Sequence, residues 1–222
     1  EAGAAGSLID IDQEGEGNLA AATQLAGSTD NTSTIQQNAL NANAQSTQDG
    51  ASNVSDIVQT DDHAQDGTLG GQIGDPEATV TQIGTGNSSA VDQNNSGGGF
   101  NQDVNVVQTG DANVSGVDQT GTGPGFTGTL RTNTFQTGNS NISSVSQAAA
   151  DGQAGNEEAR IVQNGDFNDS MLMQSATGPG AIGIDARITQ NGDSTATVMQ
   201  TINGEGSGGV YATLNQSNGG TA

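Results

Sequence analysis

Asp111, Asn139, Asp166 and Asp193 occupy one recurring place, three residues after a glutamine, in four successive stretches of this chain. Oxygen-only side chains repeated in that way suit a hard cation such as Ca2+. Stacked carboxylates about 5 Å apart, as Asp166 and Asp193 would be, repel by roughly 1 kcal/mol even in water, and an ion would relieve the repulsion. Asp111, Asp166 and Asp193 are thus candidate metal ligands; the competing reading is a row of solvated turn residues screened by salt. The single histidine, His63, lies in DDHAQD, where Asp61, Asp62 and Asp66 would complete a metal site if the segment is not a solvated acidic loop. Asn-x-Ser sequons recur at Asn31, Asn53, Asn87, Asn113, Asn141 and Asn168, but inward-facing asparagines leave no room for a glycan. With one His, three Arg, no Lys and no Cys, no acid-base or nucleophilic constellation remains, so neither enzymatic activity nor a required cofactor is expected.

Composition narrows the partners. Three basic residues (Arg131, Arg160, Arg187) stand against 25 acidic ones, a formal charge of −22, which makes nucleic acid and anionic membrane poor partners. No apolar run approaches the roughly 20 residues of a spanning helix, so membrane insertion is not expected. The chain begins at Glu1 rather than Met, which leaves room for a removed signal peptide. Only 30% of residues are hydrophobic and 2% aromatic, too little for a conventional core, so any order must come from repetition.

The elements that would position these residues follow from the glutamines. Gln13, 24, 37, 48, 59, 72, 82, 93, 108, 119, 136, 147, 163, 174, 190, 200 and 216 form a grid of seventeen places. Alternate members are separated by 24, 22, 23, 26, 28, 27, 27 and 26 residues, a tandem repeat of two short segments per unit. Within a unit Val104, Val106 and Gln108, then Asn113, Ser115, Val117 and Gln119, alternate with outward Asn105, Val107, Val114, Gly116 and Asp118, which is strand periodicity. The Gly-x-x-Asn connection between the segments suits a chain reversal.

A hairpin meander and a β-solenoid both fit this alternation. Only the solenoid places each Gln about 4.8 Å from its own counterpart, where side-chain amides bond along the stack. The expected fold is therefore all-β, a two-strand-per-coil β-solenoid, or β-arch stack, of about 8.5 coils. Residues 8–216 form it, with shorter coils to about residue 93 and longer loops after, between an N-terminal segment 1–7 and a tail 217–222.

The inward ladder is expected to contain Gln13, Asn18, Gln24, Gln48, Asn53, Gln59, Gln82, Asn87, Gln93, Gln108, Asn113, Gln119, Gln136, Asn141, Gln147, Gln163, Asn168, Gln174, Gln190, Gln200 and Gln216. One sheet is expected to hold Ile9, Ile11, Ile57, Val80, Val104, Val106, Leu130, Ile161, Ile184, Ile188 and Leu214. The other would hold Ala20, Ala22, Val91, Val117, Val145, Leu172 and Val198. Outward Val107, Phe135 and Val162 should stack as an apolar stripe, and the TGPG-bearing loops 120–126 and 175–181 are expected to fold back over it.

The unit Gln-x-Gly-x-x-Asn-x-Ser/Ala-x-aliphatic-x-Gln resembles the curlin repeat of curli major subunits. Its spacing recurs from Gln13, Gln82, Gln108, Gln136 and Gln163, and once more from Gln48, where it is displaced by half a unit; from Gln190 a residue is lost and Thr195 falls where Asn would stand. The resemblance implies a secreted functional amyloid of biofilm matrix, exported unfolded, polymerising by templated addition, with a nucleator and a secretion pore as partners. The principal partner is then another copy of the chain. The rival reading is a monomeric β-solenoid acting as an adhesin or an ice- or surface-binding protein. Seventeen strands would divide as nine and eight, so successive subunits are expected to meet head to tail through Gln200 and Gln216 on Gln13 and Gln24. The unequal sheets would turn each subunit by about 180° and raise it by about 41 Å.

Overall fold

Where every second residue is an amide or a small aliphatic and its neighbours are polar, a strand buries one face and wets the other. The computed structural model describes residues 6–61, 75–96, 99–122, 127–150, 156–177, 183–203 and 209–217, and they are all-β. The strands are β1 (Leu8–Glu14), β2 (Leu19–Gln24), β3 (Thr32–Asn38), β4 (Asn43–Ala51), β5 (Val54–Asp61), β6 (Glu77–Thr85), β7 (Ser88–Ser96) and β8 (Gly99–Thr109). They continue as β9 (Val114–Thr122), β10 (Thr127–Thr137), β11 (Ile142–Ala150), β12 (Asn156–Asn164), β13 (Asp169–Thr177), β14 (Ile184–Asn191), β15 (Thr195–Asn203) and β16 (Val210–Ser217).

Odd strands form one eight-stranded sheet in the order β1 to β15, and even strands form a second from β2 to β16. Each strand pairs in parallel with the strand two places along, for example β8 with β10 and β9 with β11. The chain therefore crosses between sheets at every turn, and each coil contributes one rung to each sheet. This is the β-solenoid with inward amide ladders.

Two features of the expected register are corrected. Among the described residues the coil count is eight, because β4 pairs directly with β6 and β5 with β7, leaving no rung between them for a strand at Gln72. Gln72 itself lies outside the described residues. The interval from Gln48 to Gln82, and likewise from Gln59 to Gln93, is 34 residues, yet each pair is adjacent in its sheet.

The slip exchanges the sheets for every later residue. Gln13, Gln37 and Gln59 share the odd sheet with Gln93, Gln119, Gln147, Gln174 and Gln200, not with Gln82 and its successors. Ile11 and Ile57 accordingly share a column with Val91 and Ile9 shares one with Ser89, while Ala22 shares a column with Val80 and Ala20 with Ala78.

The core is thin and aliphatic. Ile35, Ile57, Val91, Val117, Val145 and Leu172 from the odd sheet meet Val80, Val106, Ile161 and Ile188 from the even one, with Ala44, Ala78, Ala159 and Ala186 between them. Alanine at those places lets the sheets approach closely enough to exclude water with little apolar mass. Val107, Phe135 and Val162 do stack outward in register, half-buried, and the Arg160 guanidinium lies 5.5 Å from the Phe135 ring centroid. The loops expected to cover the stripe extend outside the described residues.

Candidate functional site

A glutamine amide carries two N–H donors and one carbonyl acceptor, so in a dry interior it needs at least three partners. The even sheet supplies them by repetition. Gln24, Gln48, Gln82, Gln108, Gln136, Gln163 and Gln190 each donate Nε2 to the Oε1 of the next glutamine, ending at Gln216, over 3.3, 3.0, 2.9, 2.8, 2.8, 3.0 and 3.3 Å. The second proton reaches a backbone carbonyl of the facing sheet: Gln82 to Val54, Gln108 to Ser88 and Gln136 to Val114 at 2.8, 3.0 and 2.9 Å. Every bond in the row runs in one direction, from the N-terminal coil toward the C-terminal one.

On the odd sheet the same polarity holds from Gln13 through Gln37, Gln59, Gln93 and Gln119 to Gln147. It then fails: Gln200 donates backward to Gln174 at 2.9 Å, and Gln147 Nε2 and Gln174 Nε2 are buried without a partner. Thr132 on β10 bridges the row just before the break, accepting from Gln119 Nε2 and donating to Gln147 Oε1.

The asparagines hold the tight turns. Asn87 Oδ1 accepts from both N–H groups of Asn113, backbone and side chain, at 3.0 Å each, while Asn113 Nδ2 donates to Gly138 O at 2.8 Å. The same pattern joins Asn53 to Asn87, Asn113 to Asn141 and Asn141 to Asn168. Asn53 is therefore in phase with the later units. Asn18 is the displaced one, since it caps the opposite edge of the stack, accepting from Ala42 N and donating to Ala39 O. At the end of the row Ser194, not Thr195, lies opposite Asn168, because Asp169 pairs with Thr195. Serine is too short to continue the row, and Asn168 Oδ1 is left buried without a partner. All six sequon asparagines have 0% exposure, which excludes a glycan from their side chains in this fold.

The ladder includes residues that motif spacing did not supply. Asn31 accepts from Asn53 N and donates to Gly50 O; it stands six residues before Gln37, as Asn53 does before Gln59, but the turn preceding it is longer. Gln102, inward on β8, donates to Asn94 O and Gln119 O at 3.0 and 3.1 Å. No periodic signal announced it, because its counterpart on β10 is Leu130.

The candidate metal row has a different use in the fold. Asp111 Oδ1 accepts from Thr85 N at 2.8 Å, Asn139 Oδ1 from Asp111 N at 2.9 Å, and Asp166 Oδ1 from Asn139 N at 2.7 Å. Each side chain caps the turn of the coil before it, and Asn139 separates the two carboxylates. Asp193 is exposed in the next turn. Of the His63 cluster, Asp61 closes β5, and the other three residues lie outside the described residues.

Charge is divided between the faces. All three arginines project from the even sheet, where Arg131 pairs with Asp103 at 3.0 Å in an exposed bridge. Asp56, Asp92 and Asp118 gather on the odd sheet. Burial, then the charges of Asp118 and Asp56, push the Asp92 carboxyl above its ordinary range.

The two ends of the stack differ from its middle. β1 is exposed along its whole length, including inward-pointing Ile9 (44%) and Ile11 (39%). At the other end Gln216 accepts from Gln190 and donates to Thr195 O at 2.8 Å, and among the described residues no further glutamine continues the ladder beyond it. Comparison with protein-family models, with curated proteins and with solved structures returned no match.

Proposed function

We infer that this protein is a structural subunit of an extracellular, self-assembling fibre, built by head-to-tail stacking of end coils. The observation that carries the reading is the state of the ends. The β1–β2 rung presents Ile9, Ile11, Gln13 and Gln24 in the same columns that every inner rung covers with another rung. The β15–β16 rung presents Val198, Gln200 and Gln216 in the columns of Ile11, Gln13 and Gln24 at the other end, and Leu214 in the column that begins at Ala22. An open sheet edge is a template for another strand, and the best-matched strand is the opposite end of an identical chain.

Equal sheets change the geometry of the joint. The described strands open in the odd sheet with β1 and close in the even one with β16, so a second stack that opens in the odd sheet continues the first. The subunits then stack without a half-turn, Gln200 on Gln13 and Gln216 on Gln24. Eight rungs at about 4.8 Å give a rise of about 38 Å per subunit. The role is structural, with no catalytic step; secretion, a nucleator and a biofilm setting are supported by the curlin resemblance alone.

Negative-stain imaging of purified protein, followed by helical reconstruction, tests this. Long uniform fibres with a rise near 38 Å and no 180° step are expected. A monodisperse solenoid that stays single at high concentration would overturn the fibre reading in favour of a monomeric adhesin or surface binder. A half-turn between subunits would overturn the joint.

A further inference from the structure

Glu157 is the second residue of β12, in register with Leu130 on β10 and Ile184 on β14. All three point inward, and Glu157 is only 2% exposed between two side chains at 0%. Its Oε2 has no hydrogen-bond partner. Further along the same column stands Gln102, which meets the polarity of this place with its two donors, one to Asn94 O on β7 and one to Gln119 O on β9. β12 lies between β11 and β13 in chain order as β8 lies between β7 and β9. A carboxylic acid can offer one proton to such carbonyls. A carboxylate offers none, and sets a negative charge against them.

Among the described residues no cationic side chain faces that charge. Arg131 on β10, Glu158 and Arg160 on β12, and Asp185 and Arg187 on β14 alternate with inward residues and project from the outer face. Across the core, β11 has no titratable side chain, and the only one on β13 is exposed Asp169 at its start. Those two facing strands are also where the amide ladder breaks, leaving Gln147 Nε2 and Gln174 Nε2 unpartnered. This part of the stack thus combines one unpartnered carboxyl oxygen with two unpartnered amide donors.

We propose that Glu157 is a proton-operated latch: with its proton the β11–β12–β13 coil is closed, and ionisation opens the stack at that coil. Burial agrees with this, pushing the carboxyl from 4.5 up to about 7. Because the folded state holds the proton more tightly than the unfolded chain, the latch is fully stabilising below pH 4.5. Its contribution declines as pH rises and is lost above about 7. The span between those values corresponds to roughly two orders of magnitude in the opening equilibrium. The proposal concerns the fold of the chain and stands whether or not copies assemble.

The test follows hydrogen exchange of the full-length protein, read by mass spectrometry across β11 to β13 from pH 5 to 8 and corrected for intrinsic exchange rates. Wild type, Glu157→Gln, Glu157→Leu and the outward control Glu158→Gln are compared. In wild type the opening of β12 should rise by about 100-fold relative to Glu157→Gln over that range, with Glu158→Gln tracking wild type. Parallel pH profiles for wild type and Glu157→Gln would overturn the latch. Should Glu157→Gln not fold, Glu157→Leu, which matches the column's Leu130 and Ile184, replaces it. Carboxyl titration of the wild-type chain by 13C NMR gives an independent reading, and Glu157 ionising in the ordinary carboxylate range would also overturn the proposal.

Discussion

Replacing Gln108 by Ala tests whether the amide ladder holds the solenoid together. Gln108 is fully buried, accepts from Gln82 Nε2 at 2.9 Å, and donates to Gln136 Oε1 at 2.8 Å and Ser88 O at 3.0 Å. Truncation leaves one Gln82 N–H and the Gln136 carbonyl without their ladder partner, at about 1–3 kcal/mol each. Removing the buried Cγ methylene adds about 0.8 kcal/mol, for a total of about 3–7 kcal/mol. Domain stabilities are on the order of 5–15 kcal/mol, so the variant should be close to unfolding. Gln108→Leu keeps the volume and should lose only the amide part, about 2–6 kcal/mol. Asp118→Ala, on the exposed face of the neighbouring strand, should shift stability by less than about 0.5 kcal/mol. Guanidinium unfolding followed by far-UV circular dichroism, at one protein concentration so that assembly contributes equally, measures all three. If Gln108→Ala and Asp118→Ala agree within about 0.5 kcal/mol, the ladder is not what stabilises the stack.

Three further outcomes follow from single places in the fold. Gly110 has φ +112°, and a Cβ there would press into the Gly138 carbonyl of the next coil, so Gly110→Ala should lower the unfolding midpoint sharply. Gly116 has open space around its missing Cβ and no positive φ, so Gly116→Ala should leave the midpoint unchanged or raise it slightly. For Asp92, whose carboxyl is raised, folding is penalised as pH climbs above its ordinary value of 3.8. Asp92→Asn should therefore stabilise at neutral pH and give no gain in acid, and added salt should shrink the neutral-pH gain because part of the penalty is repulsion from Asp118 and Asp56. An equal gain at both pH values would show that the carboxyl charge is not the cause.

Taken by itself, the sequence determined the strand, its two faces and the stacking of like on like. Gln108 lies 26 residues from Gln82 and 28 from Gln136, and an amide repeated at such intervals can be buried only beside its own counterpart. That local requirement made the solenoid and most of its inward amides legible. Which rung follows which was decided by tertiary structure. The 23 residues from Gln59 to Gln82 look like one more coil, with Gln72 as its middle, yet the pairing passes from Gln59 to Gln93 and from Gln48 to Gln82. Lengthening a crossing costs little, since loop entropy grows only as the logarithm of length, so spacing alone does not separate a long loop from a short strand between two turns. The count of eight, the phase of Asn53 and the proposed unrotated joint all depend on that one interval. Glu157 was only half legible: alternation from inward Ile161 and Gln163 gives it inward parity and Glu158 outward parity, but only the pairing of β12 with β10 and β14 carries the strand back to Glu157 and buries it between Leu130 and Ile184.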